Sequence, residues 1–408
     1  RDSEWKRIRT VISPAFTSGK LKRMTPLILE CVDTMNDNID KIIAKSNSNL
    51  SAPVDMKLIT GAYSAESTIQ VAFGRKVSGL YDRTNPIIEN VHQMISPSFV
   101  TRMKAGIIMM APNVAQMLKL TFISSKVTAF FRDFTFNLID DRKRVLETGS
   151  PVKRVDFLQL MLNAMSDDNN EAINGSEEYT DSKCETYMEI QVTDDVVDKS
   201  LSYDELIAQS VMFLIGAYEN TSTTLSLCLY SIAKHPEVQH KLYDEIHTFH
   251  GQKKSSADPY ETIHSLKYMD AVIDETLRLF PPLLFLNRVA TEDYELKGTG
   301  ITIKKDHVVH IPTYAMHRDP EYFADPQVFR PERFLPENIA HNPYTYLPWG
   351  AGPRNCLGTR LAQLEIKLAL VNLVHRYVFH TTDKPLEQSV SGDLIITKSV
   401  DLKIEKRL

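Results

Sequence analysis

The sequence predicts a mainly α-helical protein with small β-sheets. Two long segments, residues 206–233 and 359–377, carry apolar residues at the three-to-four spacing of helices that face a core. Short apolar runs around Gly298 and Gly300 instead indicate short strands. With 408 residues, of which 43% are hydrophobic, the chain can bury one large core or two smaller ones.

Charge and cysteine content narrow the class of protein. The formal net charge of −5 argues against a nucleic-acid-binding protein. The four cysteines have no paired spacing, which argues against a disulfide framework or a zinc site and favours a reducing compartment. No segment reaches the about 18 consecutive apolar residues of a membrane span. The cysteines are Cys31, Cys184, Cys228 and Cys356.

The N-terminal segment is basic. Residues 1–23 hold seven basic residues against two acidic ones, and Trp5 and Arg9 lie one helical turn apart. Such a segment is either a solvated helix or a surface that meets an acidic partner. The sequence starts within a helical pattern and has no initiator Met, so we expect an N-terminal truncation. Residues 166–201 are rich in Asp, Glu, Asn and Ser and are expected to form a mobile acidic loop.

The longest predicted helix lies at the centre of the chain. Ser202 and Glu205 match a capping box, so the helix should begin there, continue through residues 206–233 and end before Pro236. Residues 216–222 interrupt the apolar run with a Gly, a Glu and an amide, which are costly in a buried helix. Two interpretations are open: a local kink with Ser and Thr side chains bonded back to the backbone, or a functional groove.

Residues 266–280 predict another helix, ended by Pro281 and Pro282. Glu275 and Arg278 are three residues apart and therefore share one face of it. Such a pair is usually a weak surface bridge. The alternative is a buried structural network.

The residues around Cys356 predict a haem ligand. This Cys lies in Trp-Gly-Ala-Gly-Pro-Arg-Asn-Cys-Leu-Gly, residues 349–358, directly before the helix predicted over 359–377. Free N–H groups at a helix N-terminus favour a thiolate, and the glycines allow the backbone to approach a flat ligand. Arg354 is placed to bind an anionic group. A lone Cys is usually an inert buried hydrophobe, but this combination suits the axial ligand of a haem iron.

The motif resembles the haem-binding signature of cytochrome P450, Phe-x-x-Gly-x-Arg-x-Cys-x-Gly, with Trp349 in the place of the Phe. Further motifs follow in the family's order: Glu275-x-x-Arg278, His-Arg-Asp-Pro at 317–320 and Phe-Arg-Pro-Glu-Arg-Phe at 329–334. The resemblance covers the whole chain and is to the microsomal P450s, most like animal family 3. It implies the cytochrome P450 fold, with residues 1–408 as one catalytic domain that lacks the N-terminal anchor and the first helices.

The resemblance implies heme b as the cofactor, with the Cys356 thiolate as the metal ligand. The haem propionates then need cationic partners, and an indole N–H can add a further donor. The residues expected to bind the cofactor are Trp5, Arg9, Arg288, Trp349, Arg354, Cys356 and Gly358. The residues expected to lock the loop beneath the haem are Glu275, Arg278 and Arg333.

The polar segment of the central helix matches the family's oxygen-binding groove, Ala-Gly-x-Glu-Thr-Thr. Glu219 is therefore expected in the path that delivers protons. Asn220 stands where the family usually has the Thr that hydrogen-bonds dioxygen, and an amide can both donate and accept. Thr221 lies about 100° further round the helix and is a poor direct substitute. These three are the expected catalytic residues.

The substrate pocket implied by the resemblance is apolar, as expected for a lipophilic small molecule. It should be lined by the central helix, the loop after Pro282 and the last hairpin. Ordinary core packing is an equal alternative for each residue. The expected substrate residues are Met212, Phe213, Ile215, Gly216, Leu283, Leu284, Phe285 and Leu394.

The function implied is a haem-thiolate monooxygenase that inserts one oxygen atom of O2 into a xenobiotic or steroid-like substrate. Electrons are expected from NADPH through NADPH–cytochrome P450 reductase, with cytochrome b5 as a further partner. Residues 1–23 would face the reductase, and the apolar segment 106–122 would enter the membrane surface at the cytoplasmic face of the endoplasmic reticulum. Asn220 keeps open a reductase-independent haem-thiolate isomerase or dehydratase that acts on a peroxide. A non-catalytic haem binder is a third class.

Overall fold

A computed structural model describes most of the chain, and the mainly helical architecture with small sheets is confirmed. The expected acidic loop, residues 166–201, lies outside the described residues except for its last two positions. Of the segment 106–122, residues 106, 108–111 and 122 lie outside them too. The described residues are 2–46, 49–77, 81, 84–95, 100, 103–104, 107, 112–121, 124–147, 156–163, 200–252 and 258–407.

The α-helices of these residues carry most of the structure. In chain order they are α1 (Asp2–Ile12), α2 (Ser18–Ala44), α3 (Met56–Phe73), α4 (Pro86–Ile95), α5 (Pro112–Met117), α6 (Ser125–Glu147), α7 (Phe157–Asn163), α8 (Tyr203–Lys234), α9 (Pro236–Gln252), α10 (Pro259–His264), α11 (Lys267–Leu279), α12 (Thr313–Met316) and α13 (Thr359–Arg376). Short 3-10 turns occur at Ser13–Phe16, Pro331–Phe334, Pro336–Asn338 and Pro343–Thr345.

The strands form small antiparallel sheets. In chain order they are β1 (Val54–Asp55), β2 (Leu286–Val289), β3 (Tyr294–Leu296), β4 (Ile301–Ile303), β5 (Val308–Ile311), β6 (Tyr377–Thr381), β7 (Glu387–Ser391), β8 (Leu394–Ser399) and β9 (Asp401–Lys406). Strand β9 pairs with β1 and β6, while β2–β5, β3–β4 and β7–β8 form separate pairs. The strands predicted around Gly298 and Gly300 are therefore present as β3 and β4.

The central helix α8 begins and ends where its sequence signals predict. The Glu205 N–H donates to Ser202 Oγ at 3.2 Å, and the Ser202 N–H donates to Glu205 Oε2 at 2.8 Å. This reciprocal pair is the predicted capping box. The helix ends at Lys234, before Pro236, because proline cannot continue the backbone hydrogen-bond ladder. The helices predicted over 266–280 and 359–377 are confirmed as α11 and α13.

Helix α3 packs closely against α8 in the core. A Cβ atom added to Gly61 would lie 3.1 Å from the Tyr218 hydroxyl oxygen, so the absent side chain is what admits the tyrosine ring. Tyr218 is buried, and from Thr221 to Leu229 every residue of α8 is buried as well. The C-terminal half of α8 is therefore core on all sides, which fixes the position of the polar segment 216–222 just before it.

Candidate active site

The loop before α13 presents Cys356. The Cys356 N–H donates to the Trp349 carbonyl at 2.8 Å, and the Asn355 N–H donates to the Gly352 carbonyl at 3.0 Å. Gly350 and Gly352 both have φ of 73°, a backbone conformation that an L side chain would strain. The chain thus turns tightly between Trp349 and Cys356 and delivers the thiol three residues before the start of α13.

The Cys356 thiol is accessible to solvent at this point of the loop. Desolvation by the surrounding protein nevertheless raises its pKa, and the Thr359 hydroxyl, the Gly358 N–H and the Arg9 guanidinium oppose that rise. The expected effect of the helix N-terminus is thus present but outweighed by desolvation. A thiolate at this position gains most from a metal ion, whose positive charge favours the deprotonated form.

Two arginine side chains from other parts of the chain contact the same loop, which also carries Arg354. Arg9 of α1 donates to the Asn355 carbonyl at 2.9 Å and to Asn355 Oδ1 at 2.7 Å. Arg288 of β2 lies 3.5 Å from the Ala351 carbonyl oxygen. The guanidinium carbon of Arg354 lies 3.8 Å from the ring centroid of Trp5. The structure therefore brings Trp5, Arg9, Arg288 and Arg354 together around the Cys356 loop.

This donor set fits a haem. The Arg9 Nε–H is buried and has no hydrogen-bond partner among the described residues, so a guanidinium donor remains for an anionic group. Propionates require such charge-assisted donors. A Cβ atom built at Gly352 or Gly358 would meet no heavy atom within 4 Å, so the backbone there has an open side. An accessible thiol, cationic donors and open backbone are what an axially ligated, doubly anionic macrocycle needs.

One stripe of α8 is accessible although the helix runs through the core. Ala208, Met212, Gly216 and Asn220 are exposed, and their four-residue spacing places them on one face. A Cβ atom at Gly216 would meet no heavy atom within 4 Å. The stripe ends at Asn220, because α8 becomes fully buried directly after it. Gly216 and Asn220 therefore lie on the accessible face, as a groove for small molecules requires.

The polar residues of segment 216–222 point in different directions. Asn220 Nδ2 donates to the Gly216 carbonyl at 2.9 Å, within the helix. The Thr221 hydroxyl is buried and contacts Glu365 Oε2 of α13 at 3.4 Å, away from the accessible face. Glu219 forms an ion pair with Lys57 of α3 at 2.8 Å. The structure thus separates the three expected catalytic residues and leaves Asn220 alone among them on the accessible stripe.

The Lys57–Glu219 pair is the centre of a polar cluster between α3 and α8. Lys57 Nζ also bonds Ser222 Oγ at 3.1 Å and the Thr223 hydroxyl, and Thr223 donates to Glu219 Oε1 at 3.0 Å. Burial lowers the pKa of Lys57, and the Glu219 carboxylate opposes that change. Sequence reasoning missed Lys57, although a Lys in the otherwise mostly apolar α3 was a visible signal.

Glu365 is a second residue that sequence reasoning missed. It lies on α13, nine positions after Cys356, and its side chain is fully buried. The Ser67 hydroxyl donates to its Oε1 at 2.5 Å, and Thr221 contacts Oε2. Burial raises the pKa of Glu365 to about 7, against the effect of these two hydroxyls. The signal in the sequence was an acidic residue between Leu364 and Ile366, within a helix predicted to face the core.

The expected substrate residues fall into two groups. Met212 is 59% exposed on the α8 stripe, beside Gly216. Phe213 instead stacks with Phe157 at 4.6 Å and with Phe16 at 5.8 Å between ring centroids, so its ring belongs to the core. Ile215 is half-buried.

The loop after α11 meets the last hairpin, as the pocket expectation requires. Leu283 forms an isolated bridge with Leu394, and the Leu284 N–H donates to the Asp393 carbonyl at 2.8 Å. The Leu284, Phe285 and Leu283 side chains are half-buried, and Leu394 is 41% exposed. The structure thus brings Leu283, Leu284 and Leu394 into one apolar surface.

Glu275, Arg278 and Arg333 form a buried network. Arg278 binds both carboxylate oxygens of Glu275, at 2.7 and 2.9 Å, and both side chains are fully buried. Arg333 Nε contacts Glu275 Oε1 at 3.1 Å. Arg278 also donates to the carbonyls of His317 and Pro326. The network therefore ties α11 to the loop that leads to Trp349, rather than forming a surface bridge.

Part of the basic N-terminal segment is neutralised within the chain. Arg7 pairs with Glu205 at the start of α8. Lys22 pairs with Asp258 at 2.7 Å and with Glu261 at 3.3 Å. Among the described residues, no helix combines the length and hydropathy that crossing a membrane requires.

Comparison with known proteins adds an independent observation. A model of the cytochrome P450 family matches residues 1–404. The chain is 37% identical to cytochrome P450 3A6 of Oryctolagus cuniculus, 38% to cytochrome P450 3A2 of Rattus norvegicus and 35% to cytochrome P450 3A7 of Homo sapiens. Each alignment covers 100% of this chain, and 75%, 75% and 74% of the respective relative.

Proposed function

Because this chain belongs to the cytochrome P450 family, and is therefore a haem-thiolate monooxygenase, we propose that Cys356 is the axial ligand of its haem iron. The reaction is the insertion of one oxygen atom of O2 into a lipophilic xenobiotic or steroid-like molecule. Bound haem supplies the redox-active iron for that chemistry. The observation that carries the assignment is the accessible Cys356 thiol in a loop that Arg9 and Arg288 contact and that carries Arg354.

The haem would be held by the residues around this loop. Arg9, Arg288 and Arg354 bind the propionates, and Trp5 packs against Arg354 and donates its indole N–H. Trp349 lies on the thiolate side, and Gly358 leaves the start of α13 open. Support comes from the Arg9 Nε–H, which is buried without a protein partner among the described residues. The network of Glu275, Arg278 and Arg333 would have a structural role. It holds the segment that leads to the Cys356 loop in place.

Oxygen is handled on the accessible stripe of α8. Asn220 orients it, because this residue alone of segment 219–221 is exposed there. Glu219 belongs to the proton path. Because its carboxylate pairs with Lys57, it must break this ion pair before it can pass a proton to the accessible stripe. Thr221 is buried and does not face the stripe. Its hydroxyl contacts Glu365, so it would influence the stripe only through that side chain. We therefore assign dioxygen contact to Asn220 rather than Thr221.

The substrate would lie between the stripe and the apolar surface of the last hairpin. Met212, Gly216, Leu283, Leu284, Phe285 and Leu394 are the lining residues that their exposure supports. Ile215 lies at the edge of the stripe. The Phe213 ring stacks on Phe157, so this residue would support the pocket from the core and would not line it. Apolar walls of this kind select for lipophilicity more than for one structure.

The electrons would come from NADPH through NADPH–cytochrome P450 reductase, with cytochrome b5 as a second donor. Similarity to the P450 3A proteins supports this pairing and a place at the cytoplasmic face of the endoplasmic reticulum membrane. Residues 1–23 are the proposed docking segment, although Arg7 and Lys22 are engaged within the chain. The whole chain acts as one catalytic domain.

A reconstituted turnover assay tests the function. The full-length protein is loaded with haem and incubated with a steroid or a lipophilic drug, with and without reductase and NADPH. Product that requires both supports the monooxygenase. Turnover of an endoperoxide or hydroperoxide without NADPH would instead establish the isomerase or dehydratase, and haem uptake with no product under any electron source would indicate a binder.

A further inference from the structure

We propose that Ser64 of α3 is a positioning residue for oxygen handling, which fixes the backbone carbonyls of the α8 turn that carries Glu219 and Asn220. The inference rests on the function proposed for that turn. Among the described residues, the hydrogen bonds of Ser64 go to the carbonyls of Ala217 and Tyr218 and not to the accessible stripe or the Cys356 loop, so it would act through the α8 backbone.

The first observation is a polar face on a buried helix. In α3, Lys57, Thr60, Ser64 and Ser67 follow one another at intervals of three, four and three residues, which places them on one side of the helix. Each of them bonds a residue of α8 or, for Ser67, the Glu365 carboxylate that contacts α8. Helix α3 therefore meets α8 through side-chain donors rather than through apolar packing alone.

The second observation is the target of the Ser64 hydroxyl. Its oxygen lies 3.0 Å from the Tyr218 carbonyl oxygen and 3.3 Å from that of Ala217. Thr60, by contrast, divides its hydroxyl between the Ser222 carbonyl and the Met56 carbonyl of its own helix. Both Ser64 contacts among the described residues are thus with α8, at the two carbonyls that directly precede Glu219 and Asn220.

The third observation is that successive carbonyls of this turn accept side-chain donors. The Gly216 carbonyl accepts from Asn220 Nδ2, those of Ala217 and Tyr218 from Ser64, and that of Glu219 from Ser222 Oγ at 3.1 Å. Extra donors of this kind compete with the helix ladder and tilt the carbonyls. Ser64 is the contributor that belongs to a different helix.

The close approach of the helices explains why a serine can do this. Gly61, three residues before Ser64, admits the Tyr218 ring, and its absent Cβ would lie 3.1 Å from the hydroxyl. A short hydroxyl side chain then spans the remaining distance to the carbonyls. The turn is thus tied to α3 just before Asn220, so the direction of the Asn220 amide depends on that tie.

The test compares Ser64→Ala with Thr68→Val in the haem-loaded, full-length protein. Alanine removes only the hydroxyl oxygen. Thr68 is a matched control because it is buried at 1% exposure in the same helix, and its hydroxyl has no partner among the described residues. The readouts are hydrogen–deuterium exchange of residues 212–224 and the share of consumed NADPH that appears as product rather than as hydrogen peroxide.

Ser64→Ala is expected to speed amide exchange in this segment about fivefold, the effect of one lost hydrogen bond, and to lower the product share. Thr68→Val should leave both unchanged. If Ser64→Ala matches Thr68→Val in either readout, the positioning role is overturned. A wild-type protein that makes no reductase-dependent product would overturn the proposed function, and the role of Ser64 with it. The two failures are distinguishable, because the first is seen in the wild type and the second only in the Ser64→Ala variant.

Discussion

The side-chain amide nitrogen of Asn220 donates to the Gly216 carbonyl oxygen at 2.9 Å. A carbonyl can only accept, so the nitrogen end of the amide faces Gly216, and Oδ1 and the second N–H of Nδ2 remain for other contacts. Asn220 also lies at the end of the accessible stripe of α8. The residue therefore combines a helix-internal bond with a polar side chain on the accessible face of α8.

Replacing Asn220 tests this arrangement. Asn220→Leu removes both the donor and the acceptor and should lower the product formed per NADPH about tenfold, since one such hydrogen bond contributes about 1 to 1.5 kcal/mol. Asn220→Thr should retain most of the product share, because a Thr hydroxyl can also bond the carbonyl four residues earlier. Both ratios come from parallel NADPH and product assays. A Leu variant with the wild-type ratio would remove Asn220 from oxygen handling.

The Lys57–Glu219 pair should contribute to stability as well as to proton delivery. The two side chains are 12% and 20% exposed, so removing one charge leaves the other poorly solvated. Lys57→Met should therefore lower the free energy of unfolding by about 2 kcal/mol, and adding Glu219→Gln should recover part of it. Chemical denaturation of the single and double variants measures this.

Lys76→Met is the matched control for that experiment. Lys76 pairs with Glu30 across the surface, with side chains 65% and 55% exposed. Exposed pairs of this kind contribute about 0.5 kcal/mol or less. Equal losses for the Lys57 and Lys76 variants would show that the cluster between α3 and α8 has no special role.

Glu365 should make stability depend on pH. Its pKa rises from 4.5 in the unfolded chain to about 7 in the fold because the carboxyl is buried. The folded protein therefore holds this proton more tightly, and the resulting stability, about 3 kcal/mol, is full below pH 4.5 and is lost as the pH rises toward about 7. Glu365→Gln keeps a neutral side chain and should remove that part of the pH dependence.

Denaturation at pH 5.5 and pH 8 would measure the difference between the wild type and Glu365→Gln. The variant should gain stability relative to the wild type at pH 8. Glu205→Gln is the control, since hydrogen bonds from Ser202 and Arg7 lower the pKa of Glu205 and keep it charged at both values. Parallel pH curves for the wild type and Glu365→Gln would contradict the raised pKa.

The features that the sequence predicted well are local. The capping box of Ser202 and Glu205, the helix ended by Pro281 and the turn before Cys356 each depend on residues within a few positions of one another. The Lys57–Glu219 pair joins residues 162 positions apart, so it depends on how α3 meets α8. No local pattern contains that information.

Of the two open interpretations of segment 216–222, the structure shows the bonding of side chains back to the backbone, and the functional groove stays a prediction. Side chains of Asn220 and Ser222 do bond back to the backbone, yet α8 runs without interruption from Tyr203 to Lys234. Phe213 shows the limit of helical periodicity, because one turn of α8 carries both the accessible Met212 and a ring that stacks on Phe157. Which residue faces the groove depends on the neighbouring helices.

The central claim is that the Cys356 thiolate ligates the haem iron. The most direct measurement is the absorption spectrum of the reduced, carbon monoxide-bound protein, for the wild type and for Cys356→His, with Cys228→Ser as the control. Cys228 is buried in α8, and burial raises the pKa of its thiol to about 12. We expect the red-shifted Soret band of a thiolate-ligated haem in the wild type and in Cys228→Ser, and its loss in Cys356→His. A Cys356→His protein that retains the red-shifted band would contradict the assignment.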